Sequence, residues 1–499
     1  MADLRTQLRA YVEATIERVD IADVIAVRAI APEPRWYRRP VVVAVAAAAA
    51  VIVVVGGATV LGRWLRPAQP PVTTVATTTT TLPVTSTTTT PPTTTTTTLP
   101  STTTTTVAAL DPAAAAAWAA FDTLLPQEEV PPFYGGGHVV NDLASNGEVV
   151  VAVGDAMNTD ENYMRDGLVL VSTDGRVWER VLDHENFDSG GKGLNTVVAG
   201  GPGFILGGQA CDTEERCTTG WRAALWTSVD GREWQRVPHD TELFGERSAV
   251  YDLLVREDGI LALGLLCEGD ACPTVVWSSP DGFTWERTDL SEGAWPAEMA
   301  EGESGLVGVS NGSSDTASWG AVWTSPDGVT WVRVPDDPDV FGVEEGTYES
   351  ILDVAAGSDG FVAVGTDGTN AIVWFSADGR TWERIPHDPE LFGGTTMYRV
   401  MAWGDGYVAV GPDWPIIEDI GGPVPGLPSV PSRPTLWVSP DGRTWHRIGI
   451  GEEDAVGAVR ALVGLQGMLI VAGQNGVFAT GSDEDAIWVN EQPPALEDQ

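Results

Sequence analysis

Basic side chains are scarce in this chain of 499 residues: 28 Lys and Arg stand against 70 Asp and Glu, a formal net charge of -42. Lys192 is its one lysine. Residues 1–66 hold 9 of the basic and 6 of the acidic residues, so the remainder carries 19 against 64, a net of -45. A surface of that sign excludes nucleic acid as a natural partner and disfavours anionic glycans. A cation, a basic protein or a saline habitat fits it better. Cysteine is almost as rare. Cys211 with Cys217 and Cys267 with Cys272 are spaced unlike zinc knuckles and have no histidine nearby, so two local disulfides on the oxidising side of a membrane are expected, with metal binding as the rival reading. The five histidines are scattered, and His239 and His387, in Pro238 to Asp240 and Pro386 to Asp388, read as turn residues. There is no HExxH, no P-loop and no GxSxG in a strand-to-helix setting, which removes the usual metallopeptidase, nucleotide and α/β-hydrolase chemistries. The Gly190 to Gly193 loop is a weak phosphate cradle because no helix follows it. No cofactor and no metal are expected; calcium stays an open alternative that no motif supports.

Charge is absent altogether from Val41 to Gly62, an apolar run long enough at about 1.5 Å per residue to cross a hydrocarbon core of about 30 Å. Seven arginines precede it (Arg5, Arg9, Arg18, Arg28, Arg35, Arg38, Arg39), whereas after Arg63 and Arg66 the next basic residue is Arg165. This asymmetry places residues 1–40 in the cytoplasm, 41–62 across the membrane and the rest outside the cell. Leu4, Leu8, Tyr11, Val12 and Ile16 give the cytoplasmic segment a short amphipathic helix. Residues 63–110 follow as a Thr/Pro-rich stretch that cannot bury a core, an extended and disordered stalk.

Beyond the stalk one phrase, S-x-D-G-x-x-W, returns six times: Ser172 to Trp178, Ser228 to Trp234, Ser279 to Trp285, Ser325 to Trp331, Ser376 to Trp382 and Ser439 to Trp445. A spacing of roughly 45 to 65 residues calls for one four-stranded blade per copy rather than a helical solenoid. In Trp277 to Trp285, Pro280, Asp281 and Gly282 fit a three-residue hairpin with a bulge, and folding about Asp281 sets Trp277 opposite Trp285 as a cross-strand aromatic pair. Trp226 with Trp234, Trp323 with Trp331, Trp374 with Trp382 and Trp437 with Trp445 repeat it, and the first copy has Leu170 facing Trp178. An arginine two residues beyond the second Trp (Arg180, Arg236, Arg287, Arg333, Arg384, Arg447) falls on the same face and reads as a guanidinium stacked on indole.

These copies resemble the Asp box of bacterial sialidases and related propellers, S-x-D-x-G-x-x-W, each lacking the residue between Asp and Gly. The resemblance covers roughly residues 132 to 490. It implies a structural hairpin between the third and fourth strands of a blade, on the face away from an active site, and it extends to non-catalytic propellers.

Each repeat fills out into four strands. In the third copy these are Val250 to Val255, Ile260 to Cys267, Thr274 to Ser278 and Phe283 to Thr288. A seventh unit from Ala458 through Met468 to Gly473 stops at Ile487 to Val489 without a fourth strand, so a strand from Thr123 to Pro131, within the pre-propeller segment 111–131, is expected to close the ring. The predicted fold is all-β: a seven-bladed propeller of four-stranded blades over 132–490, with a disordered tail at 491–499.

Aligning the innermost strands on the glycine of the following turn brings Thr196, Asp252, Glu298, Asp353, Arg399 and Arg460 to one level, joined by Asp142 if the first turn is two residues shorter. Innermost strands line the axial channel, and this level lies near their start, on the face opposite the hairpins. The disulfide loops and the insertion Pro412 to Pro434 open onto that face, where Trp414, with Trp221, Trp295 and Trp319, offers sugar or peptide platforms. The column is either a ligand site or a channel lining in which Arg399 and Arg460 neutralise Asp353 and Asp252. Resemblance to sialidases implies three arginines on a carboxylate, a Tyr with a partner Glu and an acid Asp. The column offers two arginines, Tyr398, Tyr251 and Glu298. The expectation is a cell-surface binding or scaffold module for a protein or glycan at this face rather than an enzyme, with a sialidase-like glycoside hydrolase as the alternative.

Overall fold

The computed structural model describes residues 110–124, 138–157, 165–182, 186–187, 192–211, 221–269, 271–290, 296–313, 317–342, 348–413, 433–450, 458–475 and 484–496. The expected span at Val41 to Gly62, its cytoplasmic segment and the stalk lie outside them, and no helix among the described residues is long and apolar enough to cross a membrane.

Seven separate four-stranded antiparallel sheets make the domain. In chain order they run His138–Arg180, Lys192–Arg236, Ser248–Asp289, Glu298–Arg333, Ser350–Arg384 and Arg399–Gly449, and the seventh is Ala458–Asn490 completed by Asp122–Leu124. Each sheet is a meander, so the first strand of a blade sits at one edge and the fourth at the other. The apolar residues on both faces of the second and third strands pack against the neighbouring blades. Val151, Val153 and Val169 of blade 1 meet Leu194, Phe204 and Leu206 of blade 2. Leu143, Val150 and Leu168 meet Leu465, Ile470 and Ile487 of blade 7, so the ring is closed.

Closure is by a strand from upstream of the first blade, as expected, at Asp122–Leu124 paired with Ile487–Val489. Residues 125–131 of the expected strand lie outside the described residues. The upstream segment is anchored by more than that pairing. Asp111 caps the helix Pro112–Trp118 through its side chain. Trp118 is fully buried between blades 6 and 7, and the Asn490 amide donates to the carbonyls of Ala117 and Trp118. Leu496 is buried in the same cluster, so the chain after 490 docks as far as that residue instead of forming a free tail.

The six hairpins share one geometry, and it differs from the symmetric Trp pair. Trp277 lies opposite Arg287, Trp226 opposite Arg236 and Trp437 opposite Arg447, while Ser228 lies opposite Trp234. The reason is the size of the tip. Asp281 Oδ1 accepts the N–H groups of Phe283 and Thr284, Ser279 Oγ accepts the Gly282 N–H, and Trp285 Nε1 donates to the Gly282 carbonyl. That network spans five residues between Ser279 and Trp285, pushing the second Trp two places past the first. It requires glycine, since Gly282 sits at φ 80°. Both tryptophans stay buried in one inter-blade cluster. The expected guanidinium stacking holds on the first Trp: Arg333 lies 4.4 Å and Arg447 5.8 Å from the ring centroids of Trp323 and Trp437.

A second device joins successive blades. After the fourth strand, Asp240, Asp337 and Asp388 cap one-turn helices at Thr241–Phe244, Pro338–Phe341 and Pro389–Phe392. Their phenylalanines are buried, and the first Trp of the next blade donates Nε1 to the preceding carbonyl: Trp277 to Leu243, Trp374 to Val340 and Trp437 to Leu391. The recurring Asp with Phe-Gly four and five residues later was the signal for these links.

Cys267 and Cys272 are joined by a disulfide in the loop between the second and third strands of blade 3. Cys211 is also disulfide-bonded, and Cys217 lies outside the described residues.

Candidate functional site

The innermost strands of blades 1, 2, 3, 5 and 7 each carry a bulge near their start, between Val140 and Asp142, Leu194 and Thr196, Val250 and Asp252, Ile351 and Asp353, and Val459 and Ala461. A bulge adds one residue and re-aims its side chain. Two layers of side chains result. Asp142, Thr196, Asp252, Glu298, Asp353 and Arg399 face equivalent positions of their second strands, as the turn alignment predicted, but the blade 7 member of that layer is Ala461. Arg460 is the bulge residue, one position earlier, level with Asn141, Asn195, Tyr251 and Leu352. The misplacement comes from the turn: Gly467 lies inside it, with Leu465 paired to Met468, whereas Gly203, Gly259 and Gly360 are the paired residues after theirs, so counting back from the glycine goes one residue too far.

Three of the column carboxylates hold blades together. Asp252 accepts the N–H of Leu253 on one oxygen and that of Met299, in blade 4, on the other, both at 2.8 Å. Asp142 does the same with Leu143 and Val197, and Asp353 with Val354 and Val400. Blades 1 and 2, 3 and 4, and 5 and 6 are thereby joined at the axis. The amides of Asn141 and Asn195 add similar bonds to the carbonyls of Leu194 and Val250.

Arg399 is the cation among them. It donates to Glu298 at 3.0 Å, from blade 6 to blade 4, and lies 3.9 Å from Asp353. The neutralising pairs are therefore Arg399 with Glu298 and Asp353, and Arg460 takes no part in them. One guanidinium does not balance four poorly solvated carboxyl groups. Burial pushes Asp353 up to about 7, opposed by Arg399 and reinforced by Glu298. Burial, then Glu298, raises Asp252 well above the carboxylate range; burial against the pull of Arg399 also raises Asp142 and Glu298. Glu298 in turn fixes Arg399 in its charged form.

Above this layer the channel widens into a cavity of about 550 Å³ whose wall includes Tyr251, Tyr398, Arg399, Glu298, Arg460 and Asp155. Arg460 is half-buried, its Nε has no hydrogen-bond partner, and it makes no ion pair with the described residues. Burial pushes the Tyr398 phenol up, against the pull of the Arg460 charge. The bulge side chains Asn141, Asn195, Tyr251 and Leu352 are cavity residues that turn alignment alone did not single out. Of the expected tryptophan platforms, the described Trp221 and Trp319 do not line the cavity. Trp414 and Trp295 lie outside the described residues, and Trp319 pairs with Gly312 in the blade 4 hairpin, away from the cavity wall. Among the described residues no group of His, Cys, Asp and Glu is arranged to hold a metal ion.

No family model matches the chain and no curated protein matches it. Solved structures align with the chain at low identity. A protein of unknown function from Dyadobacter fermentans aligns at 13% identity over 74% of this chain and 97% of its own, TM-score 0.42. An α-L-arabinofuranosidase from Fusarium graminearum aligns at 11% over 70% and 92%, TM-score 0.40. A Trypanosoma rangeli sialidase mutant displaying trans-sialidase activity aligns at 12% over 71%, this chain spanning about half (54%) of it, TM-score 0.37. Likenesses of this size add nothing to the fold seen in the seven sheets themselves.

Proposed function

We propose that this propeller is a non-catalytic binding module, anchored by residues 41–62 with its N-terminus in the cytoplasm, which presents its axial cavity to a protein or glycan outside the cell. The hairpin copies belong to the same reading, as Asp-box-like scaffold on the opposite face. One observation carries it: the axial carboxylates Asp142, Asp252 and Asp353 each spend both oxygens on backbone N–H groups of two blades. A hydrolase needs a carboxyl pair free to move a proton and to attack or activate water. Here those groups hold the scaffold and Glu298 is held by Arg399, while Tyr251, Tyr398 and Arg460 line the cavity. Aromatic rings with a few polar groups around a concave opening suit recognition.

Glycan and peptide arrays probed with the full-length protein test this. Tyr251→Ala and Tyr398→Ala should each weaken the captured ligand by about tenfold or more, a loss of about 1.4 kcal/mol, with melting temperature unchanged. Turnover of aryl sialosides or arabinosides that disappears in Glu298→Gln would replace this reading with the hydrolase. Orientation has its own test: a protease added to intact cells should release a fragment beginning within Pro67 to Val107, and failure to release it from cells with exposed membranes would reverse the topology.

A further inference from the structure

The first and third strands of a blade run the same way, so the hairpins, which follow the third strand, lie on the face opposite the cavity near the start of the first. On that face the tips pack alike. A methyl group on the tip glycine would meet the same second-strand position of the preceding blade: Val151 from Gly231, Leu261 from Gly328 and Val362 from Gly442. The residue after the glycine is thereby brought to the residue after the second Trp of the preceding blade. In two seams these are an ion pair, Arg232 with Glu179 at 3.5 Å and Arg443 with Glu383 at 2.5 Å, and Arg176 of blade 1 takes Glu491, after the third strand of blade 7, at 2.6 Å.

Blades 3 and 4 break the series. By the same packing Phe283 comes to Gln235, Val329 to Glu286, and Arg380 of blade 5 to Val332. The outcome is an apolar sector on an otherwise charged rim. Five of the eight large apolar side chains exposed among the described residues belong to the hairpins, and this sector holds three: Phe283 with 49% of its surface exposed, Val332 with 61%, and Val329. Glu286 is exposed and makes no ion pair among the described residues. The Thr284 and Thr330 N–H groups hold Asp281 and Asp327 below the usual carboxylate range, so the tips themselves stay anionic.

Exposed apolar residues grouped within a charged rim mark an interaction surface. Its charge selects the occupant. A second copy would bring the same net -42 to the contact, whereas a cationic partner meets a complementary field. We propose that the hairpin-face rim from Phe283 to Val332 docks a partner protein through a cationic segment. An apolar side chain of the partner seats against Phe283 and Val329, and its lysine or arginine takes the place beside Glu286 that Arg232 takes beside Glu179. This site is separate from the axial cavity and does not rest on it.

Titration of the full-length protein with labelled peptides tests it. The probe alternates lysine and leucine; one control replaces leucine with serine at equal charge, the other replaces lysine with glutamate. The probe should bind about tenfold tighter than either control. Phe283→Ser and Glu286→Gln should each remove most of that preference with melting temperature unchanged. Val329→Arg supplies Glu286 with the partner found in other seams and should also abolish it, leaving stability equal or slightly higher. A lysine and serine peptide that binds as well as the probe, or variants that bind like the parent, would reduce the effect to overall charge and overturn the proposal. A dimer seen by sedimentation and dissolved by Phe283→Ser would put a second copy there instead. Lipid quenching of a dye on Phe283→Cys in the reconstituted chain would put the bilayer there, and either result removes the cationic partner. Capture of array ligands at the cavity should be the same in Phe283→Ser, so failure of this site and failure of the cavity are read separately.

Discussion

At the residue scale the axial carboxylates have a property that a surface carboxylate lacks. Their folded values lie above the ordinary range, Asp353 at about 7, so the fold binds protons that the unfolded chain releases. A raised carboxyl value contributes stability that is fully present below the unfolded value of about 3.9 and is lost as pH rises toward the folded value. Melting temperature should therefore climb as pH is lowered from about 7 toward about 5, and Asp353→Asn should flatten part of that slope in thermal melts across the range. A slope unchanged by the substitution would assign the effect to global charge repulsion. The hairpin aspartates act in reverse. Backbone N–H donors hold Asp174, Asp230, Asp281, Asp327 and Asp378 below the ordinary value, so their contribution is present above it and lost in stronger acid. The level of Asp252 or Arg399 was legible because a two-residue turn fixes how far each lies from its glycine. That Asp252 grips Met299 was not, because the partner belongs to another blade.

Among elements, the link between blades is the unit to perturb. Trp277 fills the space between blades 2 and 3 and donates to Leu243 in the connecting turn, with Phe244 5.9 Å from its ring. Trp277→Phe should keep most of the packing and lose the hydrogen bond, about 1 kcal/mol or somewhat more. Trp277→Ala should cost about 3 to 5 kcal/mol. Equal losses in denaturant titrations of the two variants would mean that the bond to Leu243, not the ring, holds the connection. The repeat unit, the four strands per blade and the buried tryptophans were all readable from S-x-D-G-x-x-W and its spacing. The cross-strand partner was not, since the Asp281 and Ser279 side chains enlarge the tip by capturing N–H groups that a tighter turn would have paired.

On the scale of the whole molecule, the ring is closed by chain from its far end, and the closing piece is short: three pairs to Ile487–Val489 backed by Trp118 and the Asn490 amide. A chain beginning at Leu110 should melt like the full-length protein, whereas one beginning after Leu124 should lose cooperativity and aggregate through the exposed strand; equal melting of the two would make the closing strand dispensable. The same arrangement determines where mechanical load enters. Tension on the chain upstream of Leu110 reaches the helix Pro112–Trp118 and the strand Asp122–Leu124 before any other element, while blades 1 to 6 lie beyond it in the chain. A sustained pull would thus peel one edge of blade 7 first and leave the remaining blades unloaded until that edge had gone, which makes the closing strand the yield point of the domain.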